Sequence, residues 1–267
     1  MLLRDKVVIV SGIGPGLGIK LAVEAAREGA RAVVCAARTA EKLDVAEAAI
    51  RAIGDSGATC AVLKVPTDIT DDAQCAHLAD ETVRRFGRID ALINSAFEHG
   101  AFTPVSGSDL SGWLKIYNTN VVGTLQLTQH AIRHMKENDP GGGAIVMINT
   151  MATRKPYPGE GGYAASKGAQ EVAVRYLAQE VGKYGIRVNS AFMGWMWGVP
   201  VQQGIAAMAK MRKTGEDEVL NGIVANIPLG RMSTDDDCAR AALMLVSDYA
   251  RAITGACLDV NGGEYLR

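Results

Sequence analysis

Val7-Val8-Ile9-Val10 is an unbroken run of β-branched apolar residues that stops at Ser11-Gly12, and apolar positions then recur at helical spacing from 17 to 28. The pattern predicts a strand, a glycine turn and a helix. It repeats along the chain. Strands are predicted over 32–36, 59–65, 91–94 and 144–148, alternating with helices near 41–53, 71–86, 113–136 and 162–184. Two further apolar runs, 186–192 and 257–260, complete the set. Strands this apolar must be covered on both faces, and strands joined through helices run parallel, so the expected architecture is a doubly wound, mostly parallel α/β sheet with helices on both faces.

No Pro/Ser-rich linker divides the chain, and no repeat beyond the βα alternation is present, so a single Rossmann-type domain spanning 1–267 is expected. The rhythm breaks at about 198–227, where a helical insertion precedes the last strand. Met193, Met196, Met208, Met211 and Met232 cluster in and around it with Trp195 and Trp197. An insertion of this length with adaptable apolar side chains reads as a substrate lid. Lys210, Arg212 and Lys213 interrupt that surface and are expected to point outward.

Charge narrows the range of partners. Lys plus Arg is 28 and Asp plus Glu is 29, so no net field attracts a nucleic acid or an anionic membrane, and a small molecule is the expected partner. The five cysteines (Cys35, Cys60, Cys75, Cys238, Cys257) are scattered and form no C-x-x-C pair, as for buried thiols in a reducing compartment. The apolar run near the N-terminus is too short for a signal-peptide core or a membrane span, and a cytoplasmic location is expected.

Between the first strand and helix stands Gly12-Ile13-Gly14-Pro15-Gly16-Leu17-Gly18. Glycines there let the backbone turn and approach a diphosphate, whose charge meets free N–H groups at the positive end of the helix. At the end of the second strand, NAD-preferring folds carry an acid for the ribose hydroxyl. Here Cys35-Ala36-Ala37-Arg38 offers none, and Arg38 can neutralise the 2′-phosphate of NADP, so NADP is favoured over NAD. Further on, Tyr163 and Lys167 lie one helical turn apart, on one face. A phenol beside a cation is a plausible proton-transfer device.

These pieces together resemble the short-chain dehydrogenase/reductase superfamily along essentially the whole chain. The matching residues are the glycine turn, Asp68 after the third strand, Asn94 after the fourth, Asn120 in Asn120-Val121-Val122-Gly123, the Tyr163/Lys167 pair, Arg187-Val188-Asn189, Ile253-Thr254-Gly255 and Val260-Asn261-Gly262-Gly263. The resemblance implies hydride transfer between a nicotinamide cofactor and a secondary alcohol or ketone. Its catalytic set would be Asn120, Thr150, Tyr163 and Lys167. Tyr163 would be the general acid or base, Lys167 would hold the ribose and lower the phenol pKa, and Asn120 would anchor a relay water. It further implies cofactor contacts from Ser11, Gly12, Gly14, Gly16, Leu17, Gly18, Arg38, Asp68, Ile69, Asn94, Ser95, Ala96, Met193, Gly194 and Met196, and a homotetramer or homodimer.

The chain departs from the family pattern in four places. Thr150 stands for the orienting serine, Phe97 for a glycine, Met193 for a proline, and Gly198 for a threonine whose hydroxyl holds the nicotinamide carboxamide; backbone groups near Met196 are expected to hold it instead. Phe97, Trp195, Trp197, Met208 and Met211 are the expected substrate wall, suited to an apolar cyclic or extended alcohol or ketone. The alternatives are a non-catalytic NAD(P)-binding regulator or scaffold and a 3-oxoacyl thioester reductase; enoyl reduction is disfavoured by the Tyr163/Lys167 spacing. His130 and His134 share a helix face but lack the glutamate of a zinc motif, so no metal is expected. Asp235-Asp236-Asp237 suits the first turn of a helix.

Overall fold

The computed structural model describes residues 1–266. In its first half, β1 (Val7–Ser11) leads into α1 (Leu17–Arg27), β2 (Ala32–Ala37) into α2 (Ala40–Arg51) and the short α3 (Asp55–Thr59), and β3 (Ala61–Pro66) into α4 (Asp72–Phe86). Next come β4 (Ala91–Asn94), α5 (Leu110–Tyr117), α6 (Thr124–Met135), β5 (Gly143–Thr150), α7 (Gly161–Val181) and β6 (Ile186–Met193). A two-residue strand β7 (Met196–Trp197) precedes the helical pair α8 (Val199–Arg212) and α9 (Glu216–Val224), and β8 (Ser233–Thr234), α10 (Asp235–Val246) and β9 (Cys257–Val260) close the chain.

The seven-stranded sheet has the order β3-β2-β1-β4-β5-β6-β9, with every pairing parallel. Alternation along each strand divides the core in two. Val8, Val10, Val33, Cys35 and Ile93 face α1, α2 and α10. Val7, Ile9, Val34, Leu92 and Ile145 face α4, α6 and α7. This is the doubly wound Rossmann arrangement expected from the apolar runs. The strand order reverses between β1 and β4, whose ends meet at Ser11 and Asn94, so the chain diverges there and opens a crevice at the carboxyl edge of the sheet.

Two predicted elements differ in form. The strand expected from 59 begins at Ala61, because residues 55–59 coil into α3, fastened where the Arg51 guanidinium donates to the carbonyls of Gly57 (2.6 Å) and Cys60 (2.7 Å). The helix expected over 113–136 is interrupted by a π turn at Asn118–Gly123. Such a turn widens the backbone and re-aims the residues it carries, and here it carries Asn120. The insertion is the α8–α9 hairpin, with its own small core of Ile205, Ala209, Val219, Ile227 and Met232. Lys210, Arg212 and Lys213 are exposed on it.

Thr234 and Asp237 form a reciprocal capping box at the start of α10. His130 pairs with Asp72 (2.9 Å) and His134 with Asp80 (2.7 Å), tying α6 to α4. The five cysteines are free, and burial pushes the Cys35, Cys75 and Cys238 thiols up to about 12. Among the described residues no helix is long and apolar enough to cross a membrane.

Candidate active site

At the crevice the chain builds a cleft of about 500 Å3. One wall is the turn from Gly12 to Gly18. Gly12 has φ +82, and a Cβ on it would overlap the backbone of Ala96 beyond β4; a Cβ on Gly18 would overlap the Gly12 carbonyl. Glycine at both places lets β1, α1 and the β4 loop close together. Gly14 faces open space within this wall, and α1 has no acidic residue in its first turn and no side-chain cap, so its positive end is free for a diphosphate. These features fit a dinucleotide.

Most of the expected cofactor residues come together here: Gly12, Gly14, Gly16, Leu17, Gly18, Arg38, Asp68, Ile69, Ser95, Ala96, Met193, Gly194 and Met196 all line the cleft. Ser11 and Asn94, expected at the cofactor, do not. Both are buried behind the wall, where the Ser11 hydroxyl reaches the Ile93 carbonyl (3.4 Å) and the Asn94 amide donates to Thr128 Oγ1 (3.0 Å). Their role is to brace β1 and β4 beneath the site. Arg38 is exposed at the rim and makes no ion pair among the described residues. Lys42, from the first turns of α2, reaches the same rim. In the sequence Lys42 carries no motif, and only the start of α2 at Ala40 turns it back to the rim beside Arg38.

Across the cleft stand Thr150, at the end of β5, and Tyr163 and Lys167 on α7. The Tyr163 phenol is pushed up first by loss of surrounding water and then by Glu160, with the nearby Thr150 hydroxyl pulling the other way. A phenol held protonated near neutral pH is a proton donor. Lys167 is buried, and its Nζ donates to the Ile148 carbonyl (2.8 Å) and Gln170 Oε1 (3.0 Å). Burial pushes its pKa down to about 7.

That value has a thermodynamic consequence. Above pH about 7 folded Lys167 has released a proton that the unfolded chain keeps up to 10.5, so the unfolded state binds more protons and stability rises with pH across that window. In urea denaturation, the unfolding free energy of the wild type relative to Lys167→Met should grow from pH about 7 to about 10. A difference independent of pH would mean that the buried amine remains charged.

Asn120 does not face the cleft. Its side-chain amide donates to the Glu98 carbonyl (2.9 Å) and Ser166 Oγ (2.9 Å), its Oδ1 accepts from the Glu98 N–H (2.7 Å), and its backbone carbonyl accepts from the Gln170 side-chain amide. The expected water anchor is thus a clamp between the β4 loop and α7, and Gln170 bridges it to Lys167. Gln170 went unnoticed in the sequence because a glutamine three residues past Lys167 in a long helix carries no local signal.

The outer end of the cleft is aromatic. Phe97 lies 6.0 Å from the Tyr163 ring and His99 stacks on that ring at 4.6 Å, with Glu160 beside them. Burial pushes the Glu160 carboxyl up, against a downward pull from His99. Of the other expected substrate residues, Trp195 packs edge-on to Tyr157 (6.0 Å), Met208 packs against the core of the hairpin, and Trp197 and Met211 are exposed, Met211 by 75%. None of the four lines the cleft; from the start of α8, Pro200 and Val201 do so instead. The reason lies in α8: its inner face is used to pack α9, and Met211 falls on the opposite side.

A family model described as enoyl-(acyl carrier protein) reductase matches residues 12–264. An uncharacterized oxidoreductase of Methylorubrum extorquens is 32% identical over 98% of this chain and 98% of its own. A cis-4-hydroxycyclohexanecarboxylate dehydrogenase of Sinomonas cyclohexanicum is 30% identical, covering 97% of this chain and 96% of its own. Among solved structures, an NAD+-bound xylitol dehydrogenase superposes with a TM-score of 0.88 at 27% identity, covering 98% of this chain and 100% of its own.

Proposed function

Because the chain belongs to the short-chain dehydrogenase/reductase superfamily, and is an oxidoreductase acting on CH–OH groups with a nicotinamide cofactor, we propose that it interconverts a secondary alcohol and its ketone using NADP. The substrate in this reading has an apolar cyclic or extended body. When bound, the cofactor supplies or takes the hydride. Tyr163 gives the carbonyl oxygen its proton, Thr150 orients that oxygen through its hydroxyl beside the phenol, and Lys167, fixed by Gln170 and the Ile148 carbonyl, steadies the ribose.

The observation that carries the substrate class is the ring wall at Tyr163. Phe97 and His99 flank the phenol, and Met196 and Val201 add apolar surface to the same cleft. His99 and Glu160 supply a polar edge, suited to one hydroxyl or carbonyl at the far end of the substrate. The relative from Sinomonas cyclohexanicum, by its name, acts on a cyclic alcohol, which is consistent with this wall; the xylitol dehydrogenase is named for an open polyol. Kinetics with cyclic alcohols, acyl thioesters and polyols separate the readings. The highest kcat/KM is expected for cyclic or extended apolar substrates, and a clear preference for polyols would overturn that choice.

The cofactor preference rests on Arg38 with Lys42 at the adenosine end and on the absence of an acid at the end of β2. Arg38→Ala is expected to weaken NADPH binding by about 1.5 to 3 kcal/mol, the range for a charged hydrogen bond, and to leave NADH binding unchanged. Tighter binding of NADH than NADPH by the wild type would contradict it. A homotetramer or homodimer fits the same reading, since Leu110, Leu114, Val122, Val172 and Tyr176 lie exposed along α5, the π turn and α7.

A further inference from the structure

Asp235 opens α10, yet it takes no part in capping that helix, which Thr234 and Asp237 do. The nearby cation Lys20 pairs with Asp236 (3.0 Å). The Asp235 side chain makes no hydrogen bond or ion pair with any described residue although the residue is only 7% exposed, and its carboxyl opens to the cleft that it lines. A buried, unpartnered carboxyl is costly, and such groups ordinarily find a partner. The chain leaves room for this one: a Cβ at Gly198 would overlap the Asp235 carboxyl where it now lies, so a side chain at 198 would push that carboxyl from its place. One carboxyl oxygen also lies 3.7 Å from where a Cβ on Gly16 would stand, beside the glycine turn of the cleft.

We propose that Asp235 is a cofactor-binding residue whose carboxyl accepts a hydrogen bond from the amide N–H of the nicotinamide carboxamide. This rests on the reading of the cleft as a nicotinamide dinucleotide site. A carboxyl oxygen in that place needs a donor. The diphosphate has none, the adenine and its ribose belong to the end marked by Arg38 and Asp68, and the second ribose falls to Tyr163 and Lys167. The carboxamide is the donor left, and the pairing of Met196 with Ser233 and of Trp197 with Thr234 brings the Gly194–Met196 wall close to Asp235. Burial and the neighbouring Asp236 push the Asp235 carboxyl up. A carboxyl that gives up its charge readily tolerates the nearby diphosphate, and its carbonyl oxygen accepts in either protonation state.

The test removes the bond from each side. In 3-acetylpyridine adenine dinucleotide phosphate a methyl replaces the carboxamide nitrogen, so the donor is lost while the rest of the cofactor is kept. Dissociation constants are measured by calorimetry for this analogue and for NADP, on wild type, Asp235→Ala and Asp235→Asn. The wild type should bind NADP about tenfold more tightly than the analogue. Asp235→Ala should bind the two alike, and Asp235→Asn, which keeps an acceptor oxygen, should restore the discrimination. An Asp235→Ala protein that loses affinity for both equally, or still discriminates as the wild type does, would overturn the assignment and leave the dinucleotide reading standing. A wild type that binds neither molecule would overturn both.

Discussion

Tyr163→Phe is expected to lower kcat by about three orders of magnitude and to leave NADPH binding nearly unchanged. The magnitude is that of a lost general acid. The substitution removes only the hydroxyl, and the ring keeps its stacking with His99 and its contact with Phe97, so the shape of the wall survives. Loss of water around the phenol keeps it protonated near neutral pH, which makes it the group able to protonate a ketone oxygen. Single-turnover kinetics with saturating cofactor, together with fluorescence titration of NADPH, measure the two halves of this prediction. Retained kcat would remove Tyr163 from the chemistry.

Gly12→Ala is the most damaging change expected outside the reacting groups, and it acts on the fold. The residue sits at φ +82, where a side chain is strained, and its Cβ would overlap the backbone of Ala96, which cannot swing aside as a side-chain tip could. Strain of this kind with a backbone clash is expected to cost about 3 kcal/mol or more and to part the ends of β1 and β4. Gly14→Ala provides the contrast. Nothing lies within 4 Å of its Cβ, so the fold should keep its melting temperature while the new methyl stands in the cleft wall and weakens dinucleotide binding. Thermal melts and NADPH titrations of the two variants separate the effects, and equal destabilisation of both would contradict the assignment of their glycines.

These outcomes mark which parts of the molecule could be read from the sequence. The parallel sheet was legible because runs such as Val7–Val10 and Ile186–Phe192 are apolar at every position, a pattern that only a strand covered on both faces explains. That the glycines and Arg38 line the cleft was legible because they are fixed by their distance from a strand end. Other motif residues turned out to be structural. Arg187 ties β6 to the carbonyls of Leu245 and Ser247, and Ser11 and Asn94 brace the sheet from behind. A motif records that a residue type is needed at a position without recording which way its side chain faces.

The α8–α9 insertion was the least legible region. Its methionines and tryptophans carried the right chemistry for a substrate wall, but which face of α8 meets the cleft depends on where α9 packs, and that is a long-range fact. The same holds for Lys42, Gln170, His99 and Asp235, each brought to the site by tertiary packing with no spacing to announce it. Gly198 is the instructive case. In the sequence it is a missing hydroxyl, and in the structure it is the space that admits the Asp235 carboxyl.

The claim that joins these observations is direct hydride transfer between the cofactor and a carbinol carbon, with the proton from Tyr163. It is measured by supplying NADPH deuterated at its hydride-donating carbon with the ketone turned over fastest, and reading the alcohol by mass spectrometry. One deuterium on the carbinol carbon of each product molecule is the expected result. An alcohol without deuterium, or no alcohol from any ketone while NADPH binds, would contradict it.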